Sequence, residues 1–237
     1  MLLIYLLSLL AMFGFLRVGS SGIIRLHSIR FYPWIQTAML LALILTGLQI
    51  SYRLEWVSHS VPAGAMSIFY ATVAGLLFGM SIRLYRLKRR SGNLYYTPRN
   101  FWSDHGLDAA ALLLILFGLY RTTLFQDLPV TPIRLSSGFS LIALGIYSWI
   151  LRPVPELRSR GILFLDLHIP VEKLLSSRWS EETVLEIDSQ SEEETIRTIY
   201  LQVPDEIERR DADQTITKLL VHAEELRKEE TSSGISP

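Results

Sequence analysis

The chain has 237 residues, 49% of them hydrophobic, and no cysteine, which excludes disulfides, thiolate metal sites and a cysteine nucleophile. Its 23 basic and 23 acidic residues cancel overall but not locally: residues 1–151 hold 12 Lys and Arg against 4 Asp and Glu, and residues 152–237 hold 11 against 19. An acidic C-terminal portion has the wrong sign for a nucleic-acid partner.

The break in composition predicts an apolar, basic domain over 1–152, a polar domain over 158–230 and a frayed tail over 231–237. The first apolar stretch, 2–16, has no basic region before it. Small residues follow at Gly19, Ser20, Ser21 and Gly22, so a cleaved signal peptide is one reading. A first membrane helix is the better one, because four more apolar stretches follow at 34–50, 65–82, 107–124 and 135–151. Each approaches the roughly 17–25 residues that a helix needs to cross a bilayer.

Basic residues fall in alternate connections. Arg17, Arg25 and Arg30 follow the first stretch, Arg83, Arg86, Lys88, Arg89, Arg90 and Arg99 follow the third, and Arg152, Arg158 and Arg160 follow the fifth. The positive-inside rule then predicts a five-helix membrane bundle with the N-terminus outside and the C-terminal domain in the cytoplasm. A plasma membrane is the default location. Trp34, Tyr95, Tyr96, Trp102 and Trp149 lie near the expected span ends, where interfacial aromatics belong.

Ala71, Gly75 and Gly79 recur every four residues and predict a close helix–helix contact within the bundle, or a homo-oligomer seam. Gly138 and Gly145 offer a weaker counterpart. Arg83, Arg86, Lys88, Arg89 and Arg90 set topology and would also attract anionic lipid headgroups. Asp104, His105 and Asp108 bring two carboxylates and an imidazole together, as a divalent metal requires, although acids at a helix start are ordinary. Arg121, with Asp127 beyond it, is the basic residue set within a span, and ionisable residues there are functional candidates unless they snorkel.

In the C-terminal portion, Pro153 and Pro155 end the fifth helix. A strand is expected from Gly161 to Leu167, a turn at His168, and a second strand from Ile169 towards Trp179. Alternation predicts further strands over 184–187 and 195–203, with a turn at 189–194 and a stop at Pro204. Asp211 and Gln214 read as the start of a helix whose apolar stripe is Ile216, Leu219, Leu220, Ala223 and Leu226. The fold class is thus a membrane bundle with a small α+β module. His168 and His222 are accounted for by a turn and a helix position.

Gly161-Ile162-Leu163, then Ile169-Pro170 and Glu172-Lys173-Leu174, then Trp179, resemble the small PH-like domains carried by bacterial multi-span membrane proteins of unassigned function. The pattern covers about 158–228 and has Trp where this chain has Val171. The resemblance implies a PH-like binding module and a bacterial origin, and with it a bacterial plasma membrane. No catalytic motif or cofactor signature is present in the sequence. The first expectation is therefore a non-enzymatic scaffold, assembly or regulatory factor whose module binds a partner protein or the membrane face. The alternative is a transporter or channel subunit built around Arg121.

Overall fold

The computed structural model describes residues 2–23, 43–44, 46–47, 50–55, 58, 60–98, 105–190, 196–203 and 205–232. The chain divides into two compact units, one from Met1–Tyr85 with His105–Leu151, the other from Arg86–Asp104 with Arg152–Pro237. The second unit therefore takes in a stretch that hydropathy alone assigns to a connection between spans.

The first unit contains α1 (Leu2–Ser21), α2 (Ser60–Arg90, whose last turns belong to the second unit), α3 (Leu107–Arg121) and α4 (Pro132–Ile150). Among the described helices, α1, α2 and α4 are long and apolar enough to cross a membrane. At 31 residues, α2 is about 46 Å long, well beyond a hydrocarbon core of about 30 Å. It carries Arg83, Arg86, Lys88, Arg89 and Arg90 on helix rather than loop. The reason is propensity: Arg, Lys and Leu are good helix formers, so loss of hydropathy at Arg83 ends the apolar stretch without ending the helix.

α3 has only 15 residues, about 22 Å, and stops at Arg121 rather than Leu124, with Thr123 in the left-handed region at φ 58°. Of the stretch expected at 34–50, Leu43, Ile44, Thr46, Gly47 and Ile50 are helical. Trp34, Trp102 and the rest of that stretch lie outside the described residues. Large apolar side chains line the outside of α1 and α3, among them Leu2 at 84% exposure and Leu113 at 67%. Such a surface is compatible with lipid and unfavourable in water.

Small residues set the helix contacts. A Cβ at Gly75 would overlap the Met12 carbonyl of α1, and one at Gly79 would meet the Leu16 carbonyl and the Ser20 amide. Ala71 is buried beside them. This face of α2 is covered by the backbone of α1. Gly138 and Gly145 of α4 face α3 instead, against Gly118, Thr122, Ala111 and Ile115. They form a separate seam rather than a counterpart to the glycines of α2.

The second unit contains β1 (Leu94–Tyr96), β2 (Glu156–Arg158), β3 (Gly161–Phe164), β4 (Leu167–Pro170), a 3-10 turn (Val171–Lys173), β5 (Leu174–Glu181), β6 (Val184–Gln190), β7 (Ile196–Gln202) and α5 (Glu206–Ser232). All pairings are antiparallel, in a four-stranded sheet β1-β2-β3-β4 and a three-stranded sheet β5-β6-β7. The strand expected from Gly161 through Leu167 is two strands. They turn at Leu165 and Asp166, with Phe164 opposite Leu167 and Leu165 at φ 56°. His168 consequently sits in a strand, opposite Leu163.

α5 begins at Glu206, five residues before the expected capping pair. Asp211 lies inside the helix, where its carbonyl accepts a hydrogen bond from Thr215 Oγ1 at 2.7 Å. Acids in the first turn suit the positive end of the helix dipole, which explains the earlier start. Ser189 and Gln190, expected to open a turn over 189–194, are the last residues of β6, and Thr231 and Ser232 of the expected tail are helical; residues 191–195, Pro204 and the tail from 233 lie outside the described residues.

The core joins both sheets to the helix: Leu157, Ile162, Leu174, Leu185, Ile187 and Leu201 pack with Ala212, Ile216, Leu219 and Ala223. Val171 is buried in it at 2% exposure. Leu220 and Leu226 of the expected stripe pack against it from the side.

Candidate docking groove and its supporting ion network

The end of α2 is built to stop and to be held. Ser91 donates its amide to the Leu87 carbonyl, and Gly92 follows at φ 82°, the left-handed cap that glycine adopts without a Cβ penalty. Helix ends leave carbonyls without intrahelical donors. Here Arg158 supplies them: its Nη1 donates to the Lys88 carbonyl and to the Gly92 carbonyl, both at 2.9 Å. Its Nε donates to Glu156 Oε2 at 2.7 Å, while Lys88 Nζ donates to Glu156 Oε1 at 2.8 Å. Glu156 is 3% exposed. One buried carboxylate thus holds two cations, and one of them caps the helix.

Beyond that cap the chain runs extended into β1. Leu94 lies opposite Arg158 and Tyr96 opposite Leu157, with a bulge between them. β1 is the terminal strand of its sheet and has only β2 as a strand neighbour among the described residues. The Tyr96 ring is in the core, and its hydroxyl donates to Glu208 Oε2 of α5 at 3.3 Å. This bond sets the distance between edge strand and helix.

A groove of about 620 Å³ lies between them, walled by Leu94, Tyr95 and Ile207 and by the helix face of Asp205, Glu208, Asp211 and Lys218. Its apolar walls face outwards: Leu94 is 46% exposed, Tyr95 56% and Ile207 73%. A second recess of about 570 Å³ shares Tyr95 and Lys218 and continues along the helix to His222.

The other face of the same helix turns is already occupied. The Arg209 guanidinium lies 4.4 Å from the Trp179 ring centre, and Trp179 Nε1 donates to Asp213 Oδ1 at 3.2 Å. On the outer face of the three-stranded sheet, Arg178 Nε donates to Glu186 Oε2 at 2.6 Å. That bond, with a second from Ser180, holds the Glu186 carboxyl below the usual carboxylate range. Asp188 accepts from Ser176 and Thr198, so the face is a polar ladder.

Burial holds the His168 imidazole below its usual pKa, and its Nε2 has no hydrogen-bond partner among the described residues. The Arg160 backbone and Glu172 act the other way, and Arg158 adds to the lowering. The unfolded chain therefore binds more protons as pH falls through about 6.5. Stability contributed by neutral His168 should be intact above that pH and be lost below it. Urea midpoints of the second unit should fall between pH 7.5 and 5.5, and His168→Leu should flatten that dependence. An equally steep fall in His168→Leu would assign it to other groups.

The residues singled out in the sequence fall in different places. Lys88 is committed to Glu156, so its side chain is not presented to headgroups; Arg83 is half-buried, while Arg86, Arg89 and Arg90 are exposed. Asp104 lies outside the described residues. His105 and Asp108 lead into and begin α3, and among the described residues no group of three metal-ligand side chains gathers. Arg121 is exposed at the last residue of α3, where a cation suits the helix dipole, and Asp127 is exposed in the segment after it. His222 is exposed, 3.7 Å from Glu225.

Neither Glu156 nor the edge strand was visible as a functional element in the sequence. The available signals were the β-prone Leu94-Tyr95-Tyr96 run between Gly92 and Pro98, and a lone acid beside Pro155. In comparisons with family models, curated proteins and solved structures, the chain matches no family model, no curated protein and no solved structure.

Proposed function

We propose that this chain is a multi-pass membrane protein of five helices, N-terminus outside, whose second unit is a cytoplasmic PH-like module that binds a partner protein. In this reading it acts as a scaffold, assembly or regulatory factor and not as an enzyme. Support for the membrane part comes from three helices of crossing length, from helical residues within 43–53, and from the alternation of basic connections. Support for the module comes from antiparallel strands closed by one helix, with the phrase Gly161 to Trp179 spread over β3, β4, the 3-10 turn and β5.

The observation that carries the binding role is the groove between β1 and α5. Among the described residues β1 is a terminal strand, and it differs from the other terminal strands in bordering a groove with outward apolar side chains. Open edges recruit polypeptide.

A photo-crosslinking residue placed in turn at Tyr95, Tyr200 and Val221 in cells tests this reading. At least one position should trap a protein. Adducts to lipid alone, or no adducts from correctly inserted protein at all three positions, would overturn it.

A further inference from the structure

The groove's own chemistry specifies what it takes, and this inference rests on the reading of the second unit as a partner-binding module. The groove's helix face runs from Asp205 to Lys218, 13 residues apart in the chain and about 20 Å at 1.5 Å per residue. An extended strand covers that length in about six residues. The opposite wall is a terminal sheet strand, whose main-chain groups another extended backbone can pair with.

Charge then narrows the class. Among the described residues, three carboxylates, Asp205, Glu208 and Asp211, line the groove against one ammonium, Lys218. The helix dipole accounts for acids in the first turn but falls off within it, and Asp211 lies in the second. Arg209 is turned away onto Trp179, so the groove keeps its negative sign. Anionic headgroups and nucleic acids would be repelled there.

We propose that the groove between β1 and α5 takes an extended, basic segment of a partner protein, added as a strand beside β1. Its apolar side chains would rest on Leu94, Tyr95 and Ile207, and its basic ones on Asp205 and Asp211. Tyr96 and its bond to Glu208 hold the groove open at one width.

The test uses the full chain in nanodiscs of zwitterionic lipid, because β1 and the rest of the module come from distant parts of the chain. Fluorescent peptides of about eight residues, alternating lysine with valine or glutamate with valine, are titrated by anisotropy. The lysine peptide should bind and the glutamate peptide should not. Asp205→Asn with Asp211→Asn should weaken binding about tenfold or more, whereas Glu224→Gln, outside the groove, should leave it unchanged.

Methylating alternate backbone amides of the lysine peptide should abolish binding if it adds as a strand. Equal binding of both peptides, no binding of either, indifference to the two asparagine substitutions, or full binding of the methylated peptide would each overturn the proposal. Crosslinking to protein at Tyr200 but not at Tyr95 would also overturn it while leaving the module's binding role standing.

Discussion

Replacing Glu156 with Leu should destabilise the second unit by about 3–5 kcal/mol, the cost typical of removing one partner from a buried ion pair. The size follows from what is left behind. Lys88 and Arg158 have side chains only 19% and 12% exposed, and both would lose their counter-charge without regaining water. Arg158 would also be less firmly held over the carbonyls of Lys88 and Gly92, so the helix end should fray with the strand. Hydrogen exchange should show faster amide exchange over 86–98 and 156–158, with the β5–β7 amides less affected. Adding Lys88→Met to the Glu156 variant should cost less than the two single changes together, because the second change removes a charge already stranded. Protection unchanged in the Glu156 variant would remove the ion network from the account of the fold.

The second large effect is expected at Gly79. Glycine to leucine inside a helix is worth up to about 1 kcal/mol in favour of the variant by propensity alone. Packing opposes it, and overfilling a packed site costs typically about 1–3 kcal/mol. Here the obstacle is the Leu16 carbonyl and the Ser20 amide, with Gly19 Cα at 2.9 Å from the added Cβ. Backbone cannot rotate aside as a side chain can, so packing wins and α1 must leave α2. The absence of native cysteine makes this measurable without background. A Cβ at Gly64 would lie 3.5 Å from Ile4 Cδ1, so a short bifunctional thiol reagent should bridge Ile4→Cys and Gly64→Cys. Adding Gly79→Leu should suppress that crosslink. Undiminished crosslinking would show that α1 does not pack on this face.

Local pattern carried much of the fold and little of the site. The strands at Gly161, Val184 and Ile199 and the stripe from Ile216 to Leu226 were legible because each alternates or repeats within a few residues. Gly75 and Gly79 were legible for the same reason, and their partner, α1, was not. Tyr95 and Tyr96 read as interfacial aromatics because apolar spans flank them on both sides. Their role as an edge strand depends on Leu157, far along the chain. Glu156 offered only a lone acid beside Pro155: its partner Lys88 is 68 residues away, and its other partner, Arg158, lies two residues along the same strand. The acidic groove likewise needs β1 and α5 together, and each alone reads as something ordinary.

The position of β1 in the chain also orders events during synthesis. Leu94 is translated before α3 and α4, and its partner Arg158 after both. At about 5–20 residues per second, the ribosome takes on the order of 3–13 s to cover that interval. During it the end of α2 has neither its Glu156 anchor nor its Arg158 cap, and Tyr96 has no core to enter. The two intervening helices must be threaded before β2 can close the sheet. The edge strand, the earliest-made strand of its sheet, therefore waits for its partner, and its pairing marks a chain whose intervening helices have already been made.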